Sequence, residues 1–214
     1  MCKNSCFCNI LKIFSGKYYR LLKMFVSMVL LWEKDSDRNN LPRCFRKGLL
    51  VKLRNQYYAF PECRKMPDFA RYVANCIYAP SYISLHSALS FYGMIPEEVV
   101  QLTSVTTLKT AKFENDFGTF NYQNVKTSLY FGYEIRMMRN GRGLFFATPE
   151  KALLDLFYLY PTLYGTEQGF RNFAIEVQML YENLDVERLY DYMARFECRA
   201  LEQRVDLFVR VFGL

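Results

Sequence analysis

Few residues of this 214-residue sequence could carry out acid–base or nucleophilic chemistry. The only histidine, His86, lies inside a predicted helix that Ser84 can cap. Nucleophilic catalysis needs a histidine beside an activated serine or cysteine, with a carboxylate that orients the imidazole. Ser84 and Ser87 are neighbours of His86 in sequence but do not form such an arrangement. We therefore interpret His86 as a surface residue or a satisfied interior residue.

Two carboxylates, Glu150 and Asp155, lie on one predicted helix. They are five positions apart and point to different faces, whereas an acid–base pair has to converge on one substrate. The helix dipole explains Glu150 in the first turn, and Asp155 is a weak functional candidate. An enzyme that acts on nucleic acid through Glu150, Asp155 or His86 is one hypothesis, but we predict that the protein is not an enzyme and has no catalytic residues.

Metal and cofactor signatures are also missing from the sequence. The seven cysteines contain no C-x-x-C pair, and the cluster of Cys2, Cys6 and Cys8 has no histidine nearby, whereas structural zinc needs four ligands. The stretch 140–143, Asn-Gly-Arg-Gly, is too short for a phosphate-binding loop and is typical of a hairpin turn. We predict no metal, no cofactor and free thiols, which are typical of the reducing cytoplasm.

The longest nearly apolar run, Met24–Trp32, is too short to span a membrane. The first residues also lack the small-residue cleavage site of a signal peptide. We therefore expect a cytoplasmic protein with no membrane span.

The positive charge is concentrated at the amino-terminal end. Residues 1–65 hold 14 Lys and Arg against 4 Asp and Glu, a net charge of +10, whereas residues 66–214 have a net charge of −3. A basic segment attached to a nearly neutral body suggests a face that binds a polyanion, although a solvated lysine-rich surface is the alternative.

The spacing of these cations favours DNA. A short buried helix is predicted over 25–32, a basic helix over 39–47 that ends at Gly48, and a hairpin formed by 49–54 and 57–60. This order is the winged helix-turn-helix layout, in which the basic helix enters the major groove and the hairpin reaches phosphates. The predicted DNA-binding residues are Arg38, Asn39, Asn40, Arg43, Arg46, Lys47, Lys52 and Arg54.

The remaining chain predicts an α+β body with a mainly antiparallel sheet and carboxy-terminal helices. Strands are expected over 99–106, 118–123, 133–138 and 144–147, and helices over 67–76, 85–92, 149–160, 168–181, 186–196 and 201–212. The predicted organisation is a lead-in segment (1–24), a winged helix-turn-helix domain (25–65) and a body (66–214).

Three segments resemble the AbiEi antitoxin family of type IV, abortive-infection toxin–antitoxin systems. They are DRNNLPRCFRKGLLVKLRNQYYAF (37–60), APSYISLHSALSFYGMIPE (79–97) and ATPEKALLDLFYLYP (147–161). The first is similar to the family's winged helix. The second resembles its "P-x-YIS-x-x-SAL-x-x-x-G" stretch, and the third its "ATPEKALLDL" helix.

The resemblance implies a bipartite bacterial protein of phage defence. Its winged helix binds inverted repeats in the double-stranded operator of its own operon and represses transcription. Its body neutralises an AbiEii-like nucleotidyltransferase toxin without chemistry of its own, and a stable complex is not required. The alternative is a stand-alone winged-helix transcriptional regulator whose body dimerises or senses a ligand.

Two positions depart from the family pattern. Pro42 lies early in the presumed recognition helix, where it is tolerated only in the first turn. Gln56 stands where the family commonly has glycine in the wing turn, and a non-glycine residue there costs about 1 kcal/mol if φ is positive. Both departures concern DNA affinity rather than the fold.

Overall fold

The computed structural model describes the backbone of 29–31 and residues 46–55, 57–96, 101–137 and 143–214. These residues belong to two compact units. One contains the chain up to Phe69 together with Asn115–Phe117, and the other contains Ala70–Glu114 and Gly118–Leu214. Four predicted DNA-binding residues, Arg38, Asn39, Asn40 and Arg43, lie outside the described residues, as do Pro42 and Gln56.

The first unit contains a three-stranded antiparallel sheet in the order β1-β3-β2. The strands are β1 (Val29–Leu31), β2 (Val51–Arg54) and β3 (Tyr57–Ala59). The predicted hairpin of β2 and β3 is confirmed, but the short helix predicted over 25–32 is wrong because 29–31 is a strand. The spacing of apolar residues alone does not distinguish a short buried strand from a helix. Here the pairing with β3 makes 29–31 a strand.

Apolar side chains on the hairpin are buried in this unit. Leu53 and Ala59 are buried, and the pairing register shifts between Lys52 and Arg54. The 3₁₀ turn Pro61–Lys65 follows and buries Cys63. Gly48, just before the hairpin, has a φ of +64°, a left-handed conformation that glycine adopts readily.

The second unit contains a six-stranded sheet in the order β6-β7-β5-β4-β9-β8. The strands are β4 (Ser81–Ile83), β5 (Gln101–Thr106), β6 (Ala111–Asn115), β7 (Gly118–Asn124), β8 (Tyr133–Met137) and β9 (Gly143–Ala147). Pairs β4–β5 and β8–β9 are antiparallel, whereas β4–β9 and β5–β7 are parallel. The α+β class is therefore confirmed, and the sheet is mixed.

Seven α-helices lie in the described part of the chain. They are α1 (Phe69–Ile77), α2 (Leu85–Phe91), α3 (Pro149–Leu159), α4 (Glu167–Arg171), α5 (Val177–Asn183), α6 (Val186–Ala194) and α7 (Arg199–Phe212). The single helix predicted over 168–181 is wrong, because α4 and α5 are separate. The Glu176 amide bonds to the Met94 carbonyl between them, which fixes the chain outside a helical conformation.

Helix α3 lies at the centre of the second unit. Every residue from Pro149 to Phe157 is buried, and the helix contacts α2, α6, α7 and β9. A helix surrounded in this way must bury its polar side chains as well as its apolar ones. Its buried surface therefore extends all round the helix, and the buried polar groups need partners from the neighbouring elements.

Candidate nucleic-acid interface

The predicted DNA-binding residues that the structure describes lie on the hairpin or just before it. Lys52 is exposed on β2 opposite Tyr58, and Arg54 is half-buried opposite Tyr57. Arg46 and Lys47 are exposed immediately before Gly48. Exposed guanidinium and ammonium groups on and beside a hairpin can contact phosphate oxygens, which is the role expected of wing residues.

The first unit also includes a turn that sequence reasoning did not associate with the hairpin. The Asn115 side-chain amide donates a 3.0 Å hydrogen bond to the Leu53 carbonyl. Within the same unit, Arg64 forms an ion pair with Asp116. These contacts attach Asn115 and Asp116 to β2 and to the turn after β3, from which they are separated by about 50–60 positions in sequence. No local pattern in the sequence indicates such a distant pairing.

Asp155, the weak catalytic candidate, lies at the centre of a buried polar group that we call the Asp155 cluster (Tyr82, Ser84, Lys151 and Asp155). The Tyr82 hydroxyl donates to Asp155 Oδ2 at 2.9 Å, and the Ser84 hydroxyl donates to the same atom at 2.8 Å. Lys151 Nζ forms an ion pair with Asp155 Oδ1, and both side chains are fully buried. The carboxylate thus uses both oxygens to tie β4 and the start of α2 to α3.

Burial shifts the proton affinity of two groups in the Asp155 cluster. Desolvation lowers the pKa of Lys151, and the nearby Asp155 carboxylate opposes that shift without cancelling it. Desolvation, reinforced by Asp155, raises the pKa of Tyr82 well above its usual value. The Lys151 ammonium also lies 5.0 Å from the ring centre of Phe131 and 4.8 Å from that of Phe196, distances at which cation–π attraction offsets part of the lost hydration.

The Glu150 carboxylate contacts helix α6, so the dipole of α3 is not the only interaction that stabilises its charge. Its Oε1 accepts a 3.0 Å bond from the Asp185 amide, and its Oε2 lies 3.3 Å from Arg188 Nε. Its side chain is fully buried. Glu150 therefore anchors the first turn of α6 to α3, a role that its position in sequence did not reveal.

His86 lies apart from both carboxylate sites, in an open pocket of about 300 Å³. Its Nε2 is 3.4 Å from the Tyr164 hydroxyl, and burial raises the pKa of Tyr164 to about 12. Of the two serines near His86 in sequence, Ser84 directs its hydroxyl to Asp155 and Ser87 donates its hydroxyl to the Gln101 carbonyl. The structure thus gives His86, Glu150 and Asp155 three different sets of partners, and it does not bring them together.

Within 46–55, 57–96, 101–137 and 143–214, no group of three or more His, Cys, Asp or Glu side chains is placed to hold a metal ion. No helix in that part of the chain has both the length and the apolar character needed to cross a bilayer. Cys63 is buried, and Cys76 and Cys198 are half-buried.

Comparison with known proteins assigns no family. The sequence matches no protein-family model and no curated protein.

Proposed function

We propose that the chain is a bacterial DNA-binding antitoxin of the AbiEi type. It represses its own operon through an amino-terminal winged helix in the cytoplasm. It also neutralises an AbiEii-like nucleotidyltransferase toxin in phage defence, with no catalytic activity of its own. The alternative, a stand-alone transcriptional regulator, differs only in the role of the body.

The observation that carries the proposal is the exposed basic hairpin of the first unit. Lys52 is exposed on β2, and Arg46 and Lys47 are exposed where the chain enters the hairpin. The strand order β1-β3-β2 is the order that a winged helix uses, with a short early strand added to the wing hairpin. Together with the net charge of +10 over residues 1–65, this supports a phosphate-binding surface.

The assignment to the antitoxin type rests on the two body segments that resemble the family. The first contributes Tyr82 and Ser84 to the Asp155 cluster, and the second contributes Lys151 and Asp155. Residues of one segment therefore form hydrogen bonds with a residue of the other. This contact supports the interpretation that both segments belong to the same family fold. Because these motif residues are buried, we place toxin neutralisation on the surface of the body and not on the motifs.

DNA binding is tested by titrating a labelled duplex of the chain's own promoter at several salt concentrations. Each lost phosphate contact should reduce the slope of log K against log salt by about 1, so Arg46→Ala and Lys52→Ala should each weaken binding and flatten the slope. Lys112→Ala is the matched control, since it removes an exposed strand lysine from the second unit. Equal slopes for all three variants and the native chain would show that the hairpin does not bind DNA.

The antitoxin role needs a separate experiment. The chain is co-expressed with the neighbouring gene of its operon, and growth is compared with that of cells expressing the neighbour alone. Rescue of growth supports the antitoxin. A harmless neighbour, or a toxic one that is not rescued, favours the stand-alone regulator and leaves the DNA result unaffected.

A further inference from the structure

Strand β8 is an outer strand of the six-stranded sheet. It pairs with β9 on one side, and no described strand lies on its other side. An outer strand leaves alternate backbone N–H and C=O groups unpaired, and these can pair with a strand of another molecule. Proteins usually protect such an edge from pairing with other chains. The side chains on β8 therefore determine which strand could pair with it.

One face of this edge is apolar and exposed. Ile135 is 60% exposed and Met137 is 67% exposed, although both are large hydrophobic residues. Phe145, which lies opposite Ile135 on β9, is 37% exposed. Alternation along the strand places Ile135 and Met137 on the same face as Phe145.

The other face of the edge carries charges of opposite sign on either side of Ile135. Arg136 is held in place, because its guanidinium lies 5.2 Å from the Phe91 ring centre and donates to the Tyr92 hydroxyl at 3.1 Å. Glu134 is exposed and lies 3.8 Å from Arg136. The strand therefore presents a fixed cation and an accessible carboxylate two positions apart.

We propose that β8 is a dimerisation strand, which pairs antiparallel with β8 of a second copy about a two-fold axis at Ile135. In this register Glu134 lies opposite Arg136 of the other copy, in both directions. Ile135 lies opposite itself, and Tyr133 lies opposite Met137. Both the charges and the apolar side chains are complementary in one register, and the contact is closed because each copy uses the same strand.

Other registers of the same pairing are less favourable. A two-fold axis at Arg136 places that cation opposite itself, and an axis at Glu134 does the same for the carboxylate. Like charges opposite each other in a sheet are destabilising. An axis between two residues places charged side chains opposite apolar ones, so the sequence Tyr-Glu-Ile-Arg-Met specifies one alignment.

The test uses the full chain and two charge-reversal variants. Sedimentation equilibrium should show a monomer–dimer equilibrium for the native chain. Glu134→Arg and Arg136→Glu each turn both cross-strand pairs into repulsive ones, so each variant should dimerise at least about tenfold more weakly. When the two variants are mixed, each introduced charge faces the opposite introduced charge and the native Glu134 faces the native Arg136, so a heterodimer should form with nearly native affinity.

The matched control is Glu114→Arg, which makes the same change of charge at an exposed position on β6, the strand at the opposite edge of the sheet. It should leave dimerisation unchanged. Because Arg136 packs on two aromatic rings, thermal melts should verify that Arg136→Glu is folded. Ile135→Asp offers a second route that leaves Arg136 intact: it places two carboxylates at the axis and should give a monomer.

Three results would overturn the proposal. One is a native chain that stays monomeric at about 100 µM, a concentration at which a small strand contact should be populated. In that case the edge is free for a strand of a different protein. The others are a dimer that tolerates Glu134→Arg and Ile135→Asp, and a variant mixture that remains monomeric. None of these outcomes depends on DNA binding or on the antitoxin role.

Discussion

Asp155 illustrates how a charge can be kept inside this protein. An isolated carboxylate is costly to remove from water, but here both oxygens have partners, from two hydroxyl groups and one ammonium. Such an arrangement is sensitive to the loss of a single member, because each remaining polar group stays buried. Sequence reasoning identified Asp155 only as a weak catalytic candidate, since its partners Tyr82 and Ser84 lie more than seventy positions away.

Asp155→Asn should lower the free energy of unfolding by about 3–5 kcal/mol, because it leaves the Lys151 ammonium buried without a counter-charge. The measurement is urea denaturation at neutral pH. The double variant Lys151→Met with Asp155→Asn should lose less than Asp155→Asn alone, since it removes the uncompensated charge. If the double variant is the less stable of the two, burial of the charge is not the cause.

Tyr82 should give the stability of the protein a distinct dependence on alkaline pH. The pKa of Tyr82 is raised well above 10.0 in the folded state, by burial first and by Asp155 second, so above pH 10 the unfolded chain releases this proton and the folded chain retains it. The resulting stabilisation is fully present below pH 10 and declines above it, by at most about 1.4 kcal/mol per pH unit.

The stability difference between the native chain and Tyr82→Phe isolates this contribution. It should be constant between about pH 7 and pH 9, at roughly 1.5–3 kcal/mol for a hydrogen bond to a charged group, and should narrow above pH 10. Denaturation curves over this range provide the measurement. A difference that stays constant to pH 11 would contradict the assigned shift.

At the scale of elements, the entry into α3 depends on a glycine. Gly132 has a φ of +71°, and its carbonyl accepts a 3.0 Å bond from the Thr148 amide just before the helix. A Cβ at this position would lie 3.0 Å from Lys151 Cγ and 3.0 Å from the Tyr192 ring. Both the backbone conformation and the close side-chain contacts therefore disfavour a side chain at this position.

Gly132→Ala should destabilise the second unit by more than the roughly 1–2 kcal/mol that a left-handed alanine costs by itself. Gly93→Ala is the matched control: its φ is +69°, and the added Cβ would meet only Met179, at an ordinary 3.7 Å. Thermal melts of both variants test the difference. Equal losses would mean that the packing around Gly132 adjusts without cost.

Local chemistry accounts for the elements that the sequence predicted. Thr148 caps α3 by accepting a bond from the Lys151 amide, as a Thr-Pro start indicates. Strand β4 was missed because all three of its residues are buried, which removes the alternation that marks a strand exposed on one face. The division of α4 from α5 was missed because a tertiary contact, between Glu176 and Met94, determines it.

At the scale of the whole molecule, the distribution of charge was readable from the sequence, because counting residues along the chain needs no contacts. Arg46, Lys47 and Lys52 are exposed, and their role in DNA binding stays a prediction. The membership of Asn115–Phe117 in the first unit was not readable, since it depends on where a distant hairpin turn lies. The outer position of β8 likewise follows from the strand order and not from its own residues.

The enclosed amine of Lys151 has a chemical consequence. Acylating reagents attack uncharged, accessible amines, and Lys151 is shielded by Asp155 and by aromatic rings, whereas Lys112 on β6 is exposed. Lys112 should thus be modified within the first minutes of a labelling reaction. Lys151 should be modified only when the second unit opens, so mass-spectrometric labelling of these two lysines would time that opening in the native protein without denaturant.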